Sequence, residues 1–133
     1  MIFDRFVGIP YLDKGRSVDG LDCWGLVHLI FREVRSIELP SYAERYITAA
    51  DRLAMARLIA GELGDWEEIE AGQERAFDGV LMREGKFPRH IGIVTSPGMV
   101  LHVQQGETSR IERYRSGILA NRIVGFFRHR DHE

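Results

Sequence analysis

The chain changes rhythm once, near Gly64, and that change constrains its fold more than any other feature. Upstream, Cys23, Leu26, Val27, Ile30, Phe31 and Val34 recur at intervals of three and four, which lays an apolar stripe along one side of a helix. The spacing predicts a helix over 23–35, with Asp19 or Asp22 as its cap and Pro40 barring continuation. A second helix is expected over 48–63, capped by Thr48, with Asp51 in its first turn and Gly61 or Gly64 as its stop. Downstream come short β-type runs over 76–82, 90–94, 99–103, 110–114 and 123–127. Glu84-Gly85-Lys86, Ser96-Pro97-Gly98 and Gln105-Gly106-Glu107 separate them as turn signals. Helices first and hairpin-linked strands afterwards argue for an α+β fold, with helices covering one face of an antiparallel sheet of about five strands.

Composition sets the outer limits. At 133 residues and 44% apolar, the chain suits one domain over 1–133 with one core. Eighteen basic against 20 acidic residues leave a net charge of -2, so no strong field points to nucleic acid or to an anionic membrane. A basic cluster at Arg122, Arg128, His129 and Arg130 reads as a solvated edge. No apolar run reaches the roughly 18 residues of a membrane span. The opening Met1-Ile2-Phe3-Asp4-Arg5-Phe6 lacks the cationic and apolar regions of a secretory signal.

Three side chains carry the chemistry. The chain has one cysteine, which excludes an internal disulfide and leaves Cys23 as either a small buried hydrophobe or a reactive thiol. Its place at a helix start favours the thiolate, because unpaired backbone N–H groups and the helix dipole converge there. His90 opens the run His90-Ile91-Gly92-Ile93-Val94, and His102 follows in Leu101-His102-Val103. A hairpin turning through Ser96-Pro97-Gly98 with its midpoint at residue 96 sets the two histidines directly opposite on one face, about 5 Å apart at Cβ. One imidazole then orients the other, as an activated nucleophile requires. The rival reading is zinc, ligated by Cys23, His90 and His102, with His129 and His132 as a further pair. The chain has no Cys-x-x-Cys or His-Glu-x-x-His spacing to support it.

The order of these residues resembles the NlpC/P60 cell-wall peptidases. Val7-Gly8-Ile9-Pro10-Tyr11 and Gly20-Leu21-Asp22-Cys23-Trp24-Gly25-Leu26-Val27 resemble that family's nucleophile region. Phe77-Asp78-Gly79-Val80-Leu81 is similar to its Gly-Asp-hydrophobic strand, with Gly and Asp in another order. His90-Ile91-Gly92-Ile93-Val94 resembles the strand of the base, and Leu101-His102-Val103 the strand of the third polar residue. The resemblance runs from about Val7 to Phe127 and implies a papain-like core that hydrolyses murein stem peptides without a cofactor, commonly between D-glutamate and the diamino acid. It makes Cys23 the nucleophile, His90 the base and His102 the orienting residue. Tyr11, Asp22 and Trp24 become the support for substrate and oxyanion, Asp22 chiefly as the cap that fixes the turn.

Some positions depart from the family pattern. Leu12-Asp13-Lys14-Gly15 stands where many relatives carry Trp-Gly-Gly, and Trp24 stands where serine commonly follows the cysteine. The spacing from Cys23 to His90 is long for the family. These differences resemble the branch found in tailed-phage tail tips and gene transfer particles. With no visible signal peptide, the expectation is an enzyme made in the bacterial cytoplasm and carried to the wall in a particle, bound to tail-tip or hub proteins through 42–66. Two alternatives stand beside it: a structural tail-tip protein with little activity, and a papain-like amidase or acyltransferase.

Overall fold

The computed structural model describes residues 2–41 and 65–132; the helix expected over 48–63 and nearly all of the segment 42–66 lie outside the described residues. A short 3-10 turn, Asp4–Phe6, opens the chain, followed by a two-residue hairpin of β1 (Arg16–Ser17) and β2 (Gly20–Leu21). Helix α1 spans Cys23–Ile30. Six further strands follow: β3 (Trp66–Ile69), β4 (Gly79–Glu84), β5 (Phe87–Ser96), β6 (Met99–His102), β7 (Arg110–Arg113) and β8 (Ile123–His129). They form one antiparallel sheet in the order β3-β8-β4-β5-β6-β7. This is an α+β fold with a helix packed on an antiparallel sheet, and the sheet has six strands rather than about five.

The additional strand is β3, in which exposed Glu67 and Glu68 occupy the middle positions. Acidic side chains suit a sheet edge, where they discourage pairing with other chains, and they hide the apolar alternation that marks an inner strand. Among the described residues β3 pairs with β8 alone, and β8 itself returns from the far end of the meander to lie beside β4.

α1 begins where its cap dictates. Asp22 is extended (φ -89°, ψ -176°) and accepts the Gly25 N–H, so Asp22, not Asp19, is the N-cap. The helix is narrower in extent than the stripe implied. After Ile30 it widens into one π-helical turn, Phe31–Arg35, which ends on Ser36 in the left-handed region (φ 56°). All eight residues of α1 are buried. Gly25 is required by close approach, since a Cβ there would meet the Gly15 carbonyl oxygen at 2.0 Å.

The strand expected from residue 76 starts three residues later. Phe77 has φ 75°, and Asp78 turns back to accept the Arg75 N–H at 2.8 Å, which delays the extended run. Asp78 is fully buried and takes Arg128 Nε and Nη2, each at 2.8 Å. Arg128 therefore belongs to an inner ion pair, and His129 is buried edge-on to Trp66 and near Phe31. Within the C-terminal basic cluster, β8 carries Arg128 and His129 into the sheet, whereas Arg130 stays on the solvated edge beside Asp65.

The main core joins Phe3, Phe6, Leu21, Leu26, Ile30 and Phe31 to sheet residues such as Ile91, Ile93 and Leu101. A second cluster gathers Val80, Met82, Val94, Val100 and Phe126 with Tyr114 and Leu119.

Candidate active site

Cys23 opens α1 and is 1% exposed. It belongs to the same core cluster as Ile91, Leu101 and Val103, the immediate neighbours of His90 and His102 in the chain. α1, which opens on Cys23, packs against β5, the strand that carries His90.

The two histidines meet. His90 Nε2 lies 2.8 Å from His102 Nδ1, with the rings 5.1 Å apart and 66° between their planes. Their register differs from the one expected. Ile93 pairs with Leu101 and Val94 with Val100, which puts Gly92, not His90, opposite His102. The pair is diagonal, two residues off. A shift of two keeps side chains on the same face, whereas a shift of one would have separated them. Gly92 makes the diagonal contact possible, because a Cβ there would press on Val100 Cγ2 at 2.7 Å and on His102 Cβ at 3.0 Å.

The chain of polar contacts continues past the histidines. His102 Nε2 lies 2.9 Å from Glu112 Oε1 on β7. Arg110 Nε approaches the same carboxylate oxygen at 2.5 Å, and its Nη1 donates to Glu107 Oε1 at 2.8 Å. Burial pushes the His102 pKa down; the Glu112 hydrogen bond pulls the other way, and the net position is below the ordinary histidine value. For Glu112, burial works upward but is outweighed by His102 and Arg110, which hold its carboxyl below the usual range. On the far side, His90 Nδ1 lies 3.9 Å from Glu84 Oε2. Two ring nitrogens aimed at each other at hydrogen-bond distance fit an orienting contact better than ligands converging on an ion. Among the described residues, no group of three or more His, Cys, Asp or Glu side chains is arranged to hold a metal ion.

The N-terminal arm is laid between these parts. Gly8 N–H donates to the Ser109 carbonyl, Tyr11 N–H to the Glu107 carbonyl, and Leu12 N–H to the Leu21 carbonyl, at 2.8 to 3.0 Å. Half-buried Tyr11 thus spans the gap between the loop that precedes β7 and the strand that leads into Cys23. Asp22 is fully buried, and both of its oxygens are engaged. Oδ1 accepts from Gly25 N and from Arg16 Nη1, each at 2.8 Å, and Oδ2 accepts from Lys14 N at 3.1 Å. It works as a cap and turn anchor. Trp24, expected among the supports for the substrate, packs in the core. It is 1% exposed, its indole N–H donates to the Pro40 carbonyl at 2.8 Å, and its ring meets Trp66.

Glu112 and Arg110 were not singled out from the sequence. The available signal was the polar-apolar-polar run Arg110-Ile111-Glu112 on the next strand of the meander, which sets both charges on one face.

Comparison with known proteins bears on the fold and the family. The NlpC/P60 domain of the peptidoglycan hydrolase SagA superposes with a TM-score of 0.65 at 16% identity, covering 94% of this chain and 93% of that one. An NlpC/P60 family protein from Bacillus cereus gives 0.69 at 18% identity, over 97% of this chain and 40% of that one. A gamma-DL-glutamyl hydrolase of Bacillus subtilis is 30% identical over 61 residues, which is 45% of this chain and 15% of that protein's length. The sequence model of the NlpC/P60 family matches residues 8–128, from the turn before Tyr11 to the ion-paired Arg128, and the chain belongs to that family.

Proposed function

We propose that this chain is a cysteine peptidase that hydrolyses an amide bond in peptidoglycan stem peptides. Cys23 Sγ attacks the scissile carbonyl after His90 takes the thiol proton, and His102 orients His90. The tetrahedral oxyanion falls to backbone amides at the start of α1, including that of Cys23. Loss of one such donor typically costs about 100-fold or more in rate. His90 then returns its proton to the leaving amine, and water hydrolyses the thioester. The observation that carries this reading is the buried His90–His102 contact in a core shared with the cysteine at a capped helix start. The relatives' names, a peptidoglycan hydrolase and a gamma-DL-glutamyl hydrolase, point to an amide beside D-glutamate.

Cys23→Ala abolishes cleavage of murein peptides while the circular dichroism spectrum stays that of the parent. Turnover within a few-fold of the parent removes Cys23 from the mechanism. His90→Ala costs more turnover than His102→Ala, because one moves the proton and the other sets its angle. A larger loss at His102 reverses those roles.

The finer reading is carriage in a phage or phage-like tail tip, with tail proteins as partners and the cell wall as the place of action. Its support is the departure around the nucleophile, Leu12-Asp13-Lys14-Gly15 and Trp24. A tail supplies the tethering that raises effective concentration at the wall. Mass spectrometry of purified particles tests it, and absence of the protein from intact tails rejects it while leaving the peptidase reading in place.

A further inference from the structure

The polar chain that starts at His90 ends on a carboxylate, and a carboxylate decides where protons sit along it. Ionised Glu112 has no hydrogen to give, so the 2.9 Å contact with His102 Nε2 requires that nitrogen to carry the proton. A neutral imidazole with Nε2–H presents a lone pair at Nδ1. The 2.8 Å contact to His90 Nε2 then requires His90 to be the donor there. That leaves the lone pair of His90 on Nδ1, the only ring nitrogen with which it can accept a thiol proton. The opposite arrangement, with hydrogen on His102 Nδ1, would put the His90 proton on Nδ1 and make the base useless.

We infer that Glu112 is a positioning residue, which sets the tautomers of His102 and His90 and so keeps His90 Nδ1 able to accept a proton. This deepens the peptidase reading and rests on it for its kinetic consequence.

The carboxylate is itself held. Arg110 Nε sits 2.5 Å from Glu112 Oε1, and Arg110 is anchored in turn by Glu107 Oε1 at 2.8 Å and Gln104 Oε1 at 2.5 Å. Glu112 is partly exposed at its side chain (30%), while His102 is closed off completely. The charge can therefore remain in contact with water while its hydrogen bond acts on a buried ring. When His90 becomes an imidazolium during the reaction, His102 Nδ1 still accepts its Nε2–H, and the Glu112 charge lies on the far side of His102. The charged groups bearing on the pair are Glu112, Arg110 and Glu107 at the His102 end and Glu84 at the His90 end.

The test separates the proton map from the activity. In the unmodified protein, nitrogen-15 NMR of the histidine rings above neutral pH should find both His90 and His102 protonated on Nε2. Glu112→Gln keeps the shape but offers a side-chain amide that can donate to His102 Nε2 and release the constraint. In that variant a Nδ1–H population appears at both rings. On murein peptide, kcat falls about 10- to 100-fold, in the range seen when partners behind a working group are removed, and KM changes less than about twofold because no substrate contact is lost. A parent protein with either ring protonated on Nδ1 overturns the inference. So does a Glu112→Gln protein with unaltered tautomers or unaltered kcat. If the parent cleaves no murein peptide, the peptidase reading fails, and the NMR result alone then upholds or overturns the assignment of Glu112.

Discussion

Phe77 shows how one residue's local cost is settled by its surroundings. A bulky side chain at φ 75° carries a penalty of about 1–2 kcal/mol, because Cβ crowds the following carbonyl in the left-handed region. The ring is 7% exposed, tilted on Phe3 at 5.0 Å, edge-on to Phe31 at 6.4 Å, and covered by the Arg35 guanidinium at 5.2 Å. Emptying such a site costs about 3–5 kcal/mol. Packing outweighs strain, so Phe77→Gly relaxes the backbone yet destabilises the protein by about 1–4 kcal/mol. Urea denaturation checks the sign: a more stable variant would mean that the strain dominates. Legibility at this scale was uneven. Cys23, Asp22 and the two histidines stood out by residue type and context, whereas the burial of Trp24 depended on Pro40 and Trp66, which no local window connects to it.

Between elements, the approach to β4 is fastened to β7 by a buried carboxylate. Glu74 Oε2 accepts the Tyr114 hydroxyl at 2.5 Å and Arg115 Nη2 at 3.1 Å, while Oε1 accepts the Gly72 N–H at 2.6 Å. The Tyr114 oxygen also accepts the Gly98 N–H at 2.8 Å, which closes the β5–β6 turn. Burial works to raise the Glu74 pKa, but these hydrogen bonds prevail and take it from 4.5 to about 2. The native state therefore binds fewer protons than the unfolded chain in that window, and stability rises with pH. The contribution is complete above the unfolded value and disappears as pH falls from about 4.5 towards about 2. Thermal melts across this range should show a steeper acid loss in the parent than in Glu74→Gln; parallel curves would remove Glu74 as a source. The strands and turns that meet here were legible from Ser96-Pro97-Gly98 and the alternating runs. The exact pairing was not, since the hairpin midpoint depends on which turn residues stay unpaired, and Ser96 pairing with Met99 shifts it from the expected place.

At the scale of the whole molecule, one serine ties the N-terminal arm to the loop before β7. Ser109 Oγ donates to the Phe6 carbonyl at 2.5 Å and accepts the Ile9 N–H at 2.9 Å, and it is buried. The backbone of Ser109 adds a donor to Ile9 and an acceptor for Gly8, each at 2.8 Å. Ser109→Ala leaves the Ile9 amide and the Phe6 carbonyl without their side-chain partner, at about 1–3 kcal/mol per unsatisfied buried group. Chemical denaturation should register that loss as a lower midpoint with an unchanged slope. A variant as stable as the parent would mean that water replaces the hydroxyl. The arm's contact with Glu107 also places it one step from Arg110 and Glu112, so hydrogen exchange at Gly8, Ile9 and Tyr11 should rise together in this variant.

The sequence by itself determined the α+β order, the helix start at Cys23, the turns at 84–86 and 96–98, and the family to which the chain belongs. It also determined that the two histidines share a face. These follow from local period, capping and turn chemistry, which a short window contains, and from the order of four motifs along the chain. Only the tertiary structure decided that β8 inserts between β3 and β4, that the histidine pair is diagonal, that Trp24 turns inward, and that Glu112 stands behind His102. Each of those outcomes depends on contacts between residues distant along the chain or on a register free to slip by two without changing face. Side-chain volume, such as the absence of a Cβ at Gly92, selects among registers that the alternation alone leaves equal.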